Sequence, residues 1–303
     1  MNRILSVIAA TVLIVTACSK GEGLTDGTGD GIVSLSVSIP DPATRAAMDG
    51  DGMGAGVNHW VVEIYDVKQP SQVFYYEEKD GEEGLLTQTF DLYLVKDQTY
   101  NIALWADHKG CYDTDTLSDV RVISQTGNKD EFDAFCYCIK DYTCTGTNDI
   151  SAVLTRPLSQ INFIATDLDD LEAFSTPEAY ACYEPVDFEL KIKAATGYDV
   201  YAGSSIEESI TDRVIAASRI YGTYSPAQEE TTLYMTYVFT DADMTKDVNM
   251  QFTSDEVPVS TDVTNVPVKR NYRTNIRGNF LTWRGKADVS IDTEFLDVVE
   301  SDL

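Results

Sequence analysis

From residue 32 to residue 39 the chain reads Ile-Val-Ser-Leu-Ser-Val-Ser-Ile. Val33, Leu35, Val37 and Ile39 fall on one side of an extended backbone, and Ser34, Ser36 and Ser38 on the other. This period of two predicts a strand with one dry and one wet face, so the chain must build a sheet that covers one side only. Pro40 and Pro42 end the run, since proline cannot donate to a ladder. The stretch from Asp41 to Asn58 has no periodicity and reads as a long loop.

Further runs rich in β-branched and aromatic residues follow at short intervals. They are His59 to Tyr65, Gln72 to Glu77, Leu85 to Leu94 and Thr99 to Trp105, with shorter ones at Val120 to Ser124 and Ile150 to Leu154. Arg156-Pro157 marks a junction. Beyond it, Leu158 to Ala165, Val186 to Ala194, Thr231 to Thr240, Lys246 to Thr253, Asn271 to Thr282 and Ala287 to Phe295 also read as strands. Two helices are expected: Asp167 to Phe174, with acids in its first turn, and Ile206 to Ser218, where Ile206, Ile210, Val214 and Ile215 fall near one face. Many short strands in two halves predict an all-β chain with a minor α component, made of two β-sandwiches in tandem.

The amino terminus is of another kind. Arg3 precedes an apolar run from Ile4 to Thr16, and Thr16-Ala17 stand directly before Cys18. A basic start, a short apolar core and small residues make a secretory leader, too short to span a bilayer. The last residues resemble a bacterial lipobox, in which the cysteine is acylated and becomes the first residue of the mature chain. The expected organisation is therefore a leader at 1–17, a glycine-rich acidic tether at 18–31, and sandwiches at 32–155 and 156–303.

The formal charge is −28, from 22 basic and 50 acidic residues, and loss of Arg3 makes it one unit more negative. Such a surface disfavours nucleic acid and anionic membrane, and suits an ectodomain that must stay dispersed. With Cys18 committed to lipid, Cys111, Cys136, Cys138, Cys144 and Cys182 form an odd set, with at most two internal disulfides. Cys138 and Cys144 could bridge a hairpin; the connectivity stays open.

Chemistry is sparse. His59 and His108 are the two histidines, without a glycine-flanked serine elbow, and are expected at the surface or a strand edge. A zinc set of His108, Cys111, Cys136 and Cys138 fits no standard spacing. The calcium-loop pattern at Asp49-Gly50-Asp51 fails at Met53, and Asp241, Asp243 and Asp247 could hold at most a weak calcium. No catalytic residue, metal centre or cofactor is therefore expected beyond that calcium and the lipid on Cys18.

Several phrases occur together in order: Trp105-Ala106-Asp107, Asp133-Ala134-Phe135, Arg156 to Phe163 (RPLSQINF), and Asn265 to Gly278 (NVPVKRNYRTNIRG). This set resembles the fimbrillin-like lipoproteins of the Bacteroidetes, the type V pilin superfamily. The resemblance implies two transthyretin-like β-sandwiches, export to the outer membrane on a lipid anchor, and assembly into adhesive fimbriae. It implies other fimbrial subunits as partners, and a host protein or glycan as the target. In that family an arginine-specific protease cuts in the loop behind the first strand. The matching bond here is Arg45-Ala46. The strand carrying Val33, Leu35, Val37 and Ile39 would then leave, and an extended terminal segment of another subunit would fill its place. The corresponding donor is the run with Val289, Ile291 and Phe295.

Physics bears on this exchange without the family. Removing residues 32–39 would expose two ladders and four aliphatic side chains, of order 6–12 kcal/mol at about 1.5–3 each. An incoming alternating strand would restore both. In the static alternative, 32–39 is a permanent strand, Arg45 an ordinary exposed arginine and the C-terminal run the last strand of its own domain. A different reading is an anchored glycan-binding lipoprotein that does not polymerise, with Trp60, Trp105 and Trp283 as stacking platforms, although core packing suits all three better. A secreted hydrolase is a more distant option.

Overall fold

The computed structural model describes residues 31–40, 56–123, 130–166, 186–206, 211–219, 231–241, 244–253, 258–278 and 290–295. The leader, the tether as far as Asp30, Cys18, Arg45, Ala46, Cys182, Trp283, Val289 and the helix expected at 167–174 lie outside them. Among the described residues the secondary structure is β, apart from one 3-10 turn at Asp130–Phe132.

The first nine strands are β1 Gly31–Ser38, β2 His59–Asp66, β3 Val73–Asp80, β4 Thr87–Leu94, β5 Thr99–Asp107, β6 Tyr112–Asp113, β7 Val120–Val122, β8 Phe135–Thr143 and β9 Asn148–Val153. Then come β10 Leu158–Ala165, β11 Val186–Ala194, β12 Gly197–Asp199, β13 Ser204–Ser205 and β14 Thr211–Arg219. The last are β15 Thr231–Phe239, β16 Met244–Thr253, β17 Pro258–Val268, β18 Tyr272–Gly278 and β19 Ser290–Phe295.

Strands before Arg156 build a front sheet, β4-β1-β9, and a back sheet, β3-β2-β5-β8. Strands after it build β15-β10-β18-β19 and β14-β11-β16-β17. A fifth sheet, β13-β12-β7-β6, joins residues from both halves, with Gly197 opposite Arg121 and Tyr198 opposite Val120.

The front and back sheets enclose one core. Alternation drives it: Phe90, Leu92 and Leu94 of β4 meet Trp60, Val62 and Ile64 of β2, all buried. The back sheet has a second dry face. There Val61, Ala103 and Trp105 pack with Tyr112 and Val120, and with Leu158, Tyr198 and Phe239 from beyond Arg156. This seam between the halves is stitched by aromatic contacts, among them Trp105 with Phe239 (6.3 Å) and Tyr65 edge-on to Tyr201 (5.1 Å).

Two expectations are corrected. Residues 211–219 are not the end of a helix but strand β14, paired antiparallel with β11 over nine residues, Val186↔Arg219 to Ala194↔Thr211. The helical spacing of Ile206, Ile210, Val214 and Ile215 was coincidental, and the ladder to β11 overrides it. Cys138 and Cys144 do not bridge a hairpin. They lie six residues apart along the extended path of β8, roughly 20 Å at strand rise, beyond disulfide reach. Cys136, Cys138 and Cys144 are free thiols, and burial pushes Cys136 and Cys138 up to about 12 and about 11. Strands β8 and β17 were not anticipated.

Candidate functional site: the first strand and its slot

Strand β1 occupies the middle of the front sheet. It runs antiparallel to β4, from Gly31↔Leu94 to Ser38↔Thr87, and parallel to β9, from Val33↔Asn148 to Ser38↔Val153. It is an interior strand, held by a ladder on each side. The ladders continue past its end, where Ile39 N–H donates to Leu86 O (3.0 Å) and Leu154 N–H to Ser38 O (2.8 Å).

The alternation is realised as read. Val33 and Leu35 are 0% exposed, Val37 and Ile39 nearly so, and Ser34, Ser36 and Ser38 are half-buried on the opposite face. Ile32 stands on that outer face, 44% exposed, paired with the exposed Tyr93. Every buried side chain of β1 therefore belongs to the sandwich core.

At its amino end the slot is closed by the turn between β8 and β9. A Cβ placed on Gly31 would lie 2.9 Å from the carbonyl carbon of Gly146 and 3.0 Å from Cys144 Sγ. Gly146 has φ +128°, a conformation open to glycine but not to other residues. The turn is fixed in turn by Asp97 N–H donating to Cys144 O (2.7 Å) and Cys144 N–H to Gln98 O (2.9 Å).

The candidate donor lies elsewhere. Ser290–Phe295 forms β19, the edge strand beyond β18, with Ile276↔Ile291 and Tyr272↔Phe295 opposed. In this state the C-terminal run is the last strand of the second half, as the static alternative expects.

The other singled-out residues are structural. His59 is not at the surface: it is 5% exposed, with Nδ1 2.7 Å from Asp107 Oδ1 and Nε2 3.4 Å from Glu78 Oε2. Burial opposes its protonation, but the two carboxylates outweigh this and raise its pKa. Burial likewise raises Asp107, with His59 pulling the other way. His108 Nδ1 contacts Gly56 O (2.8 Å), pinning the chain where it returns to β2. Trp60 and Trp105 are fully buried, so neither can stack on a sugar. Asp241 accepts from Ser205 N–H and Oγ–H through its two oxygens (2.9 Å each). Among the described residues no group of three or more His, Cys, Asp or Glu is placed to hold a metal ion.

What sequence reasoning missed is the chemistry of the seam. Asp133 and Arg156 form a buried bidentate pair, Nε to Oδ1 and Nη2 to Oδ2 both 2.6 Å. Nη1 of the same arginine donates to Asn271 Oδ1 (3.0 Å), tying the two halves together. Glu63, fully buried, accepts from Leu117 N–H at Oε1 (3.0 Å), and burial raises its pKa. The available signal was Arg156 before Pro157 and the acid in His59-Trp-Val-Val-Glu63, on a face that alternation alone assigns to water.

No curated protein matches the chain at the sequence level. Solved structures do. A Bacteroides ovatus protein described as a candidate cell-adhesion protein aligns with TM-score 0.53 at 10% identity, covering 88% of this chain and 98% of that one. A Bacteroides thetaiotaomicron protein described as polysaccharide-binding aligns at 0.50 and 14% identity over 88% and 98%. The tip fimbrial protein Mfa3 of Porphyromonas gingivalis gives 0.49 and 9% over 88% and 99%. The chain thus shares the fold of the Bacteroides ovatus and Bacteroides thetaiotaomicron proteins. At the level of sequence, the model of the family of unknown function DUF6562 matches residues 26–300, and the chain belongs to that family.

Proposed function

We propose that this chain is a structural subunit of a cell-surface fimbria, exported as a lipoprotein acylated on Cys18 and serving adhesion. In this reading cleavage at Arg45-Ala46 severs β1 from the rest of the chain, and a strand from another subunit takes its place. The observation that carries it is the position of β1: the first strand of the fold is also the central strand of a three-stranded sheet. An edge strand, once lost, leaves one open ladder. An interior strand leaves two facing ladders and an apolar trough, which another extended chain of the same period can satisfy.

The interior position also sets the mechanism. Surrendering four buried aliphatic side chains and both ladders is too costly to happen in isolation. Replacement therefore proceeds with the incoming strand already engaged at one end of the slot. Sequence resemblance, the fold shared with an adhesion protein and the dispersing acidic charge all support a surface location. The partners in this reading are other fimbrial subunits, the outer membrane through the lipid, and a host protein or glycan. A polysaccharide-binding role draws on one structural relative, but Trp60 and Trp105 are core residues and do not support it.

The test is treatment of the mature protein with an arginine-specific protease. Mass spectrometry should find a fragment ending at Arg45, and denaturant-resistant ladders should follow on a gel. An Arg45→Ala protein should give neither. An uncut Arg45, or a cut without ladder formation, sinks the exchange reading and leaves an anchored surface protein.

A further inference from the structure

We infer that the turn at residues 144–147 is a register stop for the β1 slot, and that Gly285 of a second copy of this chain is the residue shaped to meet it. The inference rests on the exchange reading for its occupant, while the stop itself is a property of the intact fold.

A sheet slot that reads only alternation accepts a strand in several registers, each shifted by two residues. Here one end is walled. The first position of β1 faces backbone atoms of Gly146 at 2.9 Å from where a Cβ would be, closer than real Cβ atoms approach backbone. The second position is held by Ile32 N–H donating to Thr147 Oγ1 (3.4 Å). A filling strand therefore needs glycine at the wall, or no residue there, with apolar residues two, four and six positions later. Any other register drives a side chain into the wall.

The sequence answers this requirement twice. Of the 19 glycines, Gly31 and Gly285 are the ones followed by hydrophobic residues at all three positions. After Gly31 these are Val33, Leu35 and Val37; after Gly285 they are Ala287, Val289 and Ile291, with Thr293 in the place of Ile39. The occupant is thus the C-terminal run of another copy, released from the edge of β18, where Ser290–Phe295 lies in this structure.

The register has an electrostatic signature. Ser34 is opposed by Asp91 on one side and Asp149 on the other, both exposed. With Gly285 at the wall, Asp288 takes the place of Ser34, between those two carboxylates. Like charges opposed across a ladder repel, so this copy fits more loosely than β1 and an Asp288→Ser strand fits better.

The experiment uses the mature chain cut at Arg45, incubated with synthetic peptides spanning residues 285–295. Release of the β1 fragment is read by mass spectrometry after gel filtration. The wild-type peptide should release it. A Gly285→Val peptide should need about tenfold or more higher concentration. A peptide beginning at Lys286 should act like wild type, because it leaves the wall position empty. Asp288→Ser should act at roughly 1.5–5-fold lower concentration, a gain that shrinks at high salt. Equal potency of the valine peptide overturns the assignment of Gly285 while leaving exchange intact. If no peptide releases the fragment, exchange and the Gly285 assignment both fail. The stop is then decided on the uncut protein. There a Gly31→Val substitution should lower Tm by roughly 2–6 °C, although valine favours strands. An unchanged or raised Tm overturns the stop whatever the peptides do.

Discussion

The back sheet has two buried faces, and they differ in kind. The inner face, toward β1, is apolar: Trp60, Val62, Ile64, Ile102, Leu104 and Ala106. The outer face, toward the second half, alternates hydrophobic residues with ionisable ones: His59, Val61 and Glu63 on β2, and Ala103, Trp105 and Asp107 on β5. Apolar packing is non-directional, and one alternating strand can substitute for another against it. Buried hydrogen-bonded charges are directional, and leaving one without its partner is expensive. The inner face is thus suited to an occupant that changes, and the outer face to a joint that does not.

The sharpest way to break this contrast is at the joint. Arg156→Ala leaves the Asp133 carboxylate buried without its cation and should cost about 3–5 kcal/mol in chemical denaturation. Replacing both partners together, Arg156→Met with Asp133→Leu, should recover most of that loss. A small effect from Arg156→Ala would mean that the halves are not joined through this pair. On the inner face, Leu35→Ala should cost about 2–5 kcal/mol, since Leu35 is wholly enclosed. In the exchange reading it should also speed release of the strand after cleavage at Arg45. A slower release would contradict the slot model.

Glu63 sharpens the comparison through pH. Its folded pKa is raised by burial, so its stabilising contribution is present below the ordinary carboxylate range and is lost as pH rises through the folded value. Glu63→Gln keeps an acceptor for Leu117 N–H and removes that loss. Thermal melts should show the variant level with wild type near pH 4 and above it at pH 8. No pH-dependent gap would show that water reaches the seam. The smallest effect is expected on the wet face of β1: Ile32→Ser should change stability by about 0.5 kcal/mol or less, read from the denaturation midpoint.

How much could be read in advance follows the same division. Strands β1, β2, β4 and β5 were legible because their inner positions are uniformly apolar. β8 was not, because the cysteines of Phe135-Cys136-Tyr137-Cys138 are as compatible with disulfide chemistry as with a strand period. β17 was hidden by prolines at 258 and 267 and by Asn265, which adopts φ 57°. His59 was assigned to the surface because alternation says which residues share a face, not whether a second layer covers it.

The local pattern is written in the order of the residues: where the chain extends, which side of β1 is dry, and that Gly31 and Gly285 head two runs of one design. These are short-range facts, set by side-chain period and backbone freedom. Three features come from the folded chain alone: β1 lies between two strands, a glycine turn walls its end, and Tyr201, more than a hundred residues away, packs on Tyr65 and donates to Glu63 O. Those depend on which surfaces meet, and contacts between residues distant along the chain leave no periodic trace in it.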